Sequence, residues 1–434
     1  MEHELARELN DILRDTTPGA LLSGIGRRLY FPKGIIAQGA EAKQFSTLAN
    51  GTLGVAEKQK KPLILRALRE QIPGLSAGEI VSYAPTAGLP ALRELWAGEI
   101  RRKNPSLEKA AISLPVVTAG LTEGISLLCD LFLDEGQTLI AANPSWDNYP
   151  LIVEARRGAR MGPVDMFGKD GIDLSALRTA LTCEAEKTGS VRVILNFPHN
   201  PTGYSPTRKE AGEICAMIRE IAEKGCKTLV LCDDAYFGLR FEDDIEEQSL
   251  FAYLADIHEN VFAVKIDGAT KEDFAWGMRC GFVTFGGKKL SAVHYDALIK
   301  KTMASIRSTI SCSSTVVQNL LLKMYSTGGD TLPAEKAAFR DIIEGRYKKA
   351  RAFVDAKKGH PLLRPMPFNS GYFMSFRCGI DAEALRQKLL HGYGVGAIAI
   401  DPHTLRVAFS GLDDECINEV YTAIYRAAEE LAAN

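Results

Sequence analysis

A lysine and an arginine stand eight residues apart in the stretch KEDFAWGMRCGF, residues 271–282. Lys271 follows a short loop after an apolar run, and the residues between Lys271 and Arg279 are mostly apolar. An amine forms a covalent bond with an aldehyde, and a guanidinium binds a phosphate through two parallel hydrogen bonds. The spacing therefore suggests a single semi-buried ligand that carries both groups.

Further polar residues follow the ends of other apolar runs that read as strands. Asn200 lies in PHNPTG, Asp233 and Tyr236 lie in CDDAYFG, and Trp146 lies in NPSWDNY, while AGLTEG (119–124) opens a helix. Ligands of open α/β sheets bind beyond the carboxyl ends of the strands. We therefore expect these side chains to converge on the same place as Lys271.

This set of residues suits an anionic phosphate attached to a flat, electron-poor pyridine ring. Lys271 can bind the aldehyde as a Schiff base, and Asp233 can keep the ring nitrogen protonated, which makes the ring an electron sink. Asn200 and Tyr236 can donate to a ring oxygen, and Trp146 can lie on the ring face. The phosphate would be bound by Arg279 and by the helix N-terminus, which comprises Gly120, Leu121 and Thr122.

The same motifs resemble those of the fold-type I pyridoxal-phosphate enzymes, specifically the class I aminotransferases of the aspartate aminotransferase branch. HNPTG (199–203) is similar to that family's sequence around its asparagine, and DDAYFG (233–238) resembles its Asp-x-Ala-Tyr element. Lys271 and Arg279 stand at the family's spacing. NPSWDNY resembles the family's Asn-Pro-Thr-Trp stretch, and the resemblance spans roughly residues 50 to 412.

The resemblance implies the cofactor, the partners and three further site residues. YAPTAGLPALR resembles a segment whose tyrosine, here Tyr83, reaches the phosphate of the neighbouring subunit. LRVAFSGL resembles the stretch whose arginine, here Arg406, binds the substrate α-carboxylate. SIRSTISCSS partly resembles the stretch whose arginine, here Arg307, crosses the dimer interface to a second substrate carboxylate.

The expected protein is thus a transaminase with pyridoxal 5'-phosphate and a homodimer with shared active sites. Its expected donor is aspartate or glutamate, with aromatic amino acids as a further expectation, and its expected acceptor is a 2-oxo acid such as 2-oxoglutarate. Catalysis would fall to Lys271, Asp233 and Tyr236. Substrate binding would fall to Arg406, Arg307, Asn200 and Trp146.

The sequence departs from the family pattern at two places. Gly268 stands where a phosphate-binding serine is common, so that Thr122 or Thr270 would have to supply the hydroxyl. Ile310 replaces an aromatic residue, and Cys312-Ser313 replaces an Asn-Pro pair, in the stretch after Arg307.

Several alternatives stay open at this point. Lys265 competes with Lys271, His199 is a candidate acid–base group, and Asp234 adjoins Asp233, so that one of the two aspartates is expected to face solvent or a helix cap. A β-lyase or a decarboxylase would use the same lysine. A ligand-sensing regulatory domain is the rival from another class.

The elements that must position these residues alternate between strand and helix. Six apolar runs predict buried strands and hence a mostly parallel sheet with helices on both faces. A long charged helix near 333–358 then leads into shorter strands and helices. We expect an α/β fold with an N-terminal segment (1–55) that packs with the small domain, a large domain (56–330) and a smaller α+β domain (331–434). The six strand predictions are 114–120, 137–143, 191–197, 227–234, 261–267 and 281–286.

Composition excludes several classes of function. The formal net charge is −2, so no global field attracts nucleic acid or an anionic membrane. The nine cysteines form no Cys-x-x-Cys pair, which argues against a metal site or a secreted disulfide framework and favours the cytoplasm. The first 15 residues predict an amphipathic helix with Leu5, Leu9, Ile12 and Leu13 on one face.

Overall fold

The computed structural model describes residues 4–13, 28, 35–52, 54–59 and 61–433. The predicted N-terminal helix is present as Glu4–Leu13. The structure describes the backbone of this helix but not the side chains of the four apolar residues expected on one of its faces.

A seven-stranded sheet forms the centre of the fold, in the order β4-β10-β9-β8-β7-β5-β6. Strand β10 runs antiparallel to both of its neighbours, and the remaining pairs are parallel. Helices cover the sheet, so the expected α/β class is confirmed. The strands are β4 (Val116–Thr118), β5 (Thr138–Ala142), β6 (Arg160–Val164), β7 (Ser190–Asn196), β8 (Lys227–Asp233), β9 (Val261–Asp267) and β10 (Gly281–Gly287).

A second sheet of four antiparallel strands has the order β11-β12-β15-β14. Two short ladders complete the strand inventory of the described residues: β1 pairs with β13 in parallel, and β2 and β3 form a hairpin. These strands are β1 (Ala49–Asn50), β2 (Glu57–Lys58), β3 (Lys61–Pro62), β11 (Leu363–Pro365), β12 (Phe373–Cys378), β13 (Val395–Gly396), β14 (Ile398–Asp401) and β15 (Thr404–Ala408).

The helices of the described residues surround both sheets, and the longest of them leads from one to the other. They are α1 (Glu4–Leu13), α2 (Ile35–Phe45), α3 (Arg66–Arg69), α4 (Ala77–Val81), α5 (Pro90–Lys103), α6 (Leu121–Phe132), α7 (Asn148–Pro150), α8 (Leu174–Thr188), α9 (Arg208–Glu223), α10 (Leu250–Leu254), α11 (Ala292–Arg307), α12 (Thr315–Thr327), α13 (Thr331–Ala356), α14 (Ala382–Tyr393) and α15 (Ile417–Ala432). A π-helical turn covers Leu151–Arg156, and single 3-10 turns cover Ile72–Gly74, Pro105–Leu107, Trp276–Met278 and Phe409–Gly411.

Helix α9 allows the predicted bounds and apolar face of a helix to be compared with the observed ones. The sequence predicts this helix over 206–224, with Ile214, Met217, Ile218 and Ile221 on one apolar face and Pro206 in its first turn. The apolar face is buried as predicted. The placement of Pro206 is wrong, because Thr207 caps the helix. The Thr207 side chain accepts from the Glu210 backbone N–H, while the Glu210 side chain accepts from the Thr207 backbone N–H. This capping box satisfies two helix-end donors and leaves Pro206 outside.

The stretch 35–52 of the N-terminal segment contacts the elements around the second sheet, whereas Arg28 Nε donates to Ala155 O at 3.0 Å, beside the first sheet. The Gln38 side chain exchanges two hydrogen bonds with the backbone of Ala399, at 3.0 and 2.9 Å. The Ala408 backbone N–H donates to Gly51 O at 2.7 Å. The domain division proposed from the sequence, which places residues 1–55 with residues 331–434, stays a prediction.

The two sheets meet at the loop that follows β7. Gly203 has a φ of +76°, and a Cβ at this position would collide with the Phe373 carbonyl in β12. Its own carbonyl accepts from the backbone N–H groups of Asn369 and Ser370, at 2.9 Å each. Only glycine combines this conformation with so close an approach.

No helix among the described residues is both long and apolar enough to cross a membrane.

We predict that Gly203→Ala destabilises the protein by roughly 2–4 kcal/mol, because it adds left-handed backbone strain to a backbone clash. Thermal or denaturant unfolding measures the loss. Gly212→Ala is the matched control, since Gly212 lies in α9 with no heavy atom within 4 Å of an added Cβ. Equal stability of the two variants would contradict this account of the contact.

Candidate functional site

Lys271 lies in the loop after β9, with its amine surrounded by aromatic rings. Nζ donates to Gly54 O at 2.5 Å. It lies 5.5–5.8 Å from the ring centres of Tyr236, Trp276 and Tyr372. No carboxylate lies within ion-pair distance of this amine among the described residues. Loss of hydration, together with the charges of two nearby arginines, lowers the pKa of Lys271 to about 7. A substantial fraction of this amine is therefore neutral and nucleophilic at neutral pH.

Arg279 and the start of α6 form an anion-binding corner beside Lys271. Arg279 has a φ of +58°, and this turns its side chain back towards the helix. Gly120, the N-cap residue of α6, has a φ of +94°, and a Cβ there would collide with the Arg279 guanidinium. The guanidinium is solvent-exposed and donates one hydrogen bond, to Trp276 O at 3.1 Å. A guanidinium next to free helix-end N–H groups is a recognised arrangement for binding phosphate.

The structure explains why Gly268 stands where a serine was expected. A Cβ at residue 268 would lie 2.6 Å from Cys280 O and 3.1 Å from a Leu121 methyl group. Of the two threonines considered as substitutes, Thr270 donates to Ala235 O at 3.4 Å. Thr122 has no hydrogen-bond partner among the residues described, and it lies in the first turn of α6. Thr122 is therefore the better placed hydroxyl.

Asp233 ends β8 and is buried. Its Oδ2 accepts from the Tyr149 hydroxyl at 2.5 Å, and its Oδ1 accepts from the Ala235 backbone N–H at 3.3 Å. Burial raises the pKa of Asp233 to about 6, against the effect of the Tyr149 hydrogen bond. The sequence reasoning missed Tyr149, although it stands three residues after Trp146. The two rings meet nearly perpendicularly, with centres 5.5 Å apart.

Asp234 is also buried, so neither aspartate of the pair faces solvent, and Asp234 instead contacts Ser249, the N-cap residue of α10. Lys265, 1% exposed, forms ion pairs with Asp234 and with Asp267. The Ser249 hydroxyl donates to Asp234 at 2.6 Å. The second aspartate can stay inside the protein because a buried cation pairs with it. Lys265 is held by these two carboxylates, whereas Lys271 is held by none.

Arg406 on β15 meets Asn200 from the first sheet. Its guanidinium donates to Asn200 Oδ1 at 3.0 Å and to Thr52 O at 2.7 Å, and it lies 4.4 Å from the centre of the Phe373 ring. Burial lowers the pKa of Arg406 to about 10. No carboxylate of the described residues lies within ion-pair distance. Since arginine only donates, the Asn200 amide must present its oxygen to Arg406, and its NH2 group points elsewhere.

Tyr236 is buried close to both Lys271 and Arg406. Its ring packs edge-on against Tyr372 and Phe373, with centres 5.5 and 5.4 Å away. Burial raises the pKa of Tyr236, so its hydroxyl stays protonated and able to donate.

Two predicted site residues do not join this group within one chain. The Tyr83 side chain is 90% exposed. Arg307 ends α11, is exposed, and donates to the Ser311 hydroxyl. Their predicted roles require a neighbouring subunit, and those roles stay predictions.

His199 is structural in this arrangement. Its Nδ1 lies 2.8 Å from the Thr202 hydroxyl, and its ring packs against Phe167 with centres 4.6 Å apart. Burial lowers the pKa of His199 to about 3, so that the ring is neutral near pH 7.

No cluster of three or more potential metal ligands occurs among the residues that the structure describes. The site therefore consists of a free amine, a buried carboxylate, two arginines and a helix N-terminus.

Comparison with known proteins gives one family over most of the chain. Residues 48–424 match the family model for aminotransferase class I and II. An aspartate aminotransferase of Bacillus sp. (strain YM-2) is 26% identical over 406 residues, which cover 85% of this chain and 95% of that protein. An aspartate/prephenate aminotransferase of Thermus thermophilus is 28% identical over 338 residues, or 76% of this chain and 78% of that protein.

A solved structure shares the fold. It is an aminotransferase from Anaerococcus prevotii with a TM-score of 0.81 and 21% identity, and the match covers 92% of this chain and 96% of that chain. At this identity the likeness shows the architecture alone.

Because His199 is buried and neutral, the free energy of unfolding should depend on pH. The unfolded ring binds a proton below a pH of about 6.5 and the folded ring only near 3, so stability is fully present above 6.5 and falls as pH decreases between these values. We predict that His199→Asn flattens this dependence by up to about 1.4 kcal/mol per pH unit. Denaturant unfolding from pH 4.5 to 7.5 measures it. His403→Asn, at an exposed position, should keep the wild-type slope, and an unchanged slope in His199→Asn would contradict the assignment.

Proposed function

Because the chain belongs to the class I and II aminotransferases, we propose that it transfers an amino group between an L-amino acid and a 2-oxo acid, with pyridoxal 5'-phosphate attached to Lys271. The observation that carries the proposal is the Lys271 amine. It has a lowered pKa, no carboxylate partner among the described residues, and a place beside the corner formed by Arg279 and Gly120.

The residues fit this cofactor in charge and in chemistry. The corner formed by Arg279 and the first turn of α6, with Thr122, would bind the phosphate. The buried Asp233 would accept a hydrogen bond from the protonated ring nitrogen. Tyr236 and the NH2 group of Asn200 would donate to the ring oxygen, and Trp146 would lie against the ring face.

Tyr149 would help to keep the Asp233 carboxyl group ionised. When bound, the cofactor supplies an electron sink that stabilises the negative charge left on the substrate carbon after deprotonation. Asp233 serves this chemistry only as a carboxylate, and burial alone favours its neutral form. The Tyr149 hydrogen bond favours the ionised form and fixes the orientation of the carboxyl group.

Lys271 would move the proton. Once the incoming amino group has replaced it, the amine stays tethered beside the reacting carbon. A pKa of about 7 suits both acceptance and return of a proton near neutral pH. Two half-reactions that share this lysine predict ping-pong kinetics.

Arg406 would bind the substrate α-carboxylate. Its guanidinium donates to an amide oxygen and to a backbone carbonyl, and neither acceptor neutralises its charge. The burial that lowers its pKa also strengthens a charge-assisted bond to an incoming anion.

We further propose a dicarboxylic substrate and a homodimer. The two curated relatives described above carry names that refer to aspartate. Arg307 would reach the distal carboxylate in the neighbouring subunit's site, and Tyr83 would reach that subunit's phosphate. Ile80 and Val81, shortly before Tyr83 in the chain, and Ile310, three residues after Arg307, are exposed apolar residues, as expected for a face covered by a second copy.

We place the enzyme in the cytoplasm. All nine cysteines are free thiols, most of them buried, which suits a reducing compartment.

We predict that borohydride reduction of the cofactor-loaded protein fixes the label on Lys271, because that amine alone among the buried lysines has no carboxylate partner in the described residues. Peptide mapping by mass spectrometry locates it. Lys271→Ala should lose the label and the visible chromophore. A label on Lys265, or a wild-type protein that binds no cofactor, would overturn the proposal.

The next prediction concerns which amino-acid donor the enzyme accepts. A buried charge-assisted pair contributes about 1.5–3 kcal/mol, so Arg307→Ala should lower kcat/KM for aspartate roughly ten- to a hundredfold. Its kcat/KM for alanine should barely change. Arg406→Ala is the comparison variant and should impair both donors. Equal losses on aspartate and alanine in Arg307→Ala would remove Arg307 from the pocket, and ammonia and pyruvate released without 2-oxoglutarate would indicate a β-lyase.

Mixed dimers test the sharing of sites in the same experiment. A subunit with Lys271→Ala combined with a subunit with Arg307→Ala should form one intact site, because each site takes its lysine from one chain and its arginine from the other. Recovery of aspartate activity on mixing supports the shared site. Mixed dimers as inactive on aspartate as the parent variants would exclude it.

A further inference from the structure

Two carboxylates follow Lys271 directly in the chain, and each is held by a lysine from a distant helix. Lys103, at the end of α5, donates to Glu272 at 2.8 Å. Lys336, in the first turns of α13, lies 2.6 Å from Asp273 and 3.5 Å from Glu272. We call Lys103, Glu272, Asp273 and Lys336 the anchor cluster.

The anchor cluster is built into its surroundings. The Tyr325 hydroxyl donates to the second oxygen of Asp273 at 2.8 Å, and the Asp273 side chain is fully buried. Gly238, at the end of the turn that carries Asp233 and Tyr236, packs against Glu272, because a Cβ there would lie 3.1 Å from its carboxyl group. The cluster therefore supports the Lys271 loop and the Asp233 turn together.

Helix α13, which carries Lys336 of the anchor cluster, also contacts the segment that accepts the hydrogen bond of the Lys271 amine. Arg346, ten residues after Lys336 on this helix, is buried and donates to Ser410 O and to Glu57 O. The Ser410 hydroxyl donates to Val55 O at 2.7 Å. The segment 54–57 is thus fixed from α13, and its Gly54 carbonyl is the acceptor of the Lys271 amine.

We propose that the anchor cluster is a positioning device for Lys271: it fixes the peptide that carries this lysine and neutralises the two carboxylates beside it, so that the amine remains without an ionic partner. The inference rests on the proposed function, since it assigns the cluster to the lysine that would bind the cofactor. Lys103, Glu272, Asp273 and Lys336 act through Lys271 and are positioning residues.

The protonation of the Lys271 amine depends on the charges around it, including the net charge of the anchor cluster. Arg279, from the turn after the loop, and Arg406, from β15, both favour the neutral amine. The groups from the remaining neighbours are the uncharged phenols of Tyr236 and Tyr372 and the Gly54 carbonyl. Removal of one lysine from the cluster leaves net negative charge two residues away or less, and this opposes the arginines.

The test measures Lys271 in cofactor-free protein. Acylation of the amine by acetic anhydride is followed by peptide mass spectrometry across pH, since only the neutral amine reacts. At pH 7, Lys336→Met should slow the acylation of Lys271 roughly threefold or more, and Glu272→Gln should accelerate it to a similar degree, because the two substitutions change the local charge in opposite directions. Lys348→Met is the matched control, since Lys348 lies on the same helix in an i,i+4 pair with Glu344 and is 66% exposed.

Opposite shifts in the two cluster variants support the proposal, because a loosened fold would change both rates in the same direction. Rates equal to those of Lys348→Met would overturn it, and so would shifts of the same sign. If Lys336→Met does not fold, Asp273→Asn and Lys103→Gln provide a second pair of opposite charge change. Borohydride labelling keeps the two hypotheses apart: a wild type without a label on Lys271 rejects the proposed function, whereas a labelled wild type with unshifted variants rejects the anchor cluster alone.

Discussion

A lysine amine that has no ionic partner among the residues the structure describes is the constraint on which the arrangement of the site depends. The three other lysines beneath the site each contact two carboxylates: Lys265 with Asp234 and Asp267, Lys103 with Glu99 and Glu272, and Lys336 with Glu272 and Asp273. Lys271 contacts a backbone carbonyl instead. Buried charges are tolerated when they are paired, and the pairing of these three lysines leaves the Lys271 amine as the lysine beneath the site without a carboxylate partner in the described residues.

The two sheets supply different halves of the chemistry. The first sheet presents Asp233, Asn200 and Lys271 from the carboxyl ends of neighbouring parallel strands, as expected for an open α/β sheet. The second contributes Arg406, which reaches across to Asn200. Gly203 lets the backbones of both sheets touch close to that hydrogen bond. In the proposed function, a substrate bound by Arg406 would therefore be held against the loop that would contact the cofactor ring.

The sequence predicted the parts of this fold in which local pattern and burial agree. Strands β7, β8 and β9 are continuous apolar runs because helices cover both faces, and their polar end residues are visible at once. Strand β6 was missed because RMGPV contains a glycine and a proline and lies at the sheet edge, where burial imposes no apolar pattern.

Residues whose partners are distant in the chain could not be inferred in this way. Tyr149 meets Asp233 across 84 positions, and Lys265 meets Asp234 across 31. The DDAYFG motif alone does not reveal that the buried cation Lys265 pairs with Asp234 rather than with Asp233. The helix start predicted at Pro206 is two residues too early, because the capping box of Thr207 and Glu210 sets the start of α9 at Arg208.

The close packing at Gly268 has a consequence for anyone who wishes to engineer this protein. Two strand pairs converge there, since Gly281 lies opposite Thr118 and Phe282 lies opposite Asp267 in the ladders of β10. A serine at residue 268 would need the backbone at Cys280 and Gly281, where β10 begins, to shift away, so a single exchange there disturbs the start of this strand. Redesign of phosphate affinity would have to begin from the helix side, at Thr122, where a larger or smaller side chain changes the hydroxyl without altering a strand.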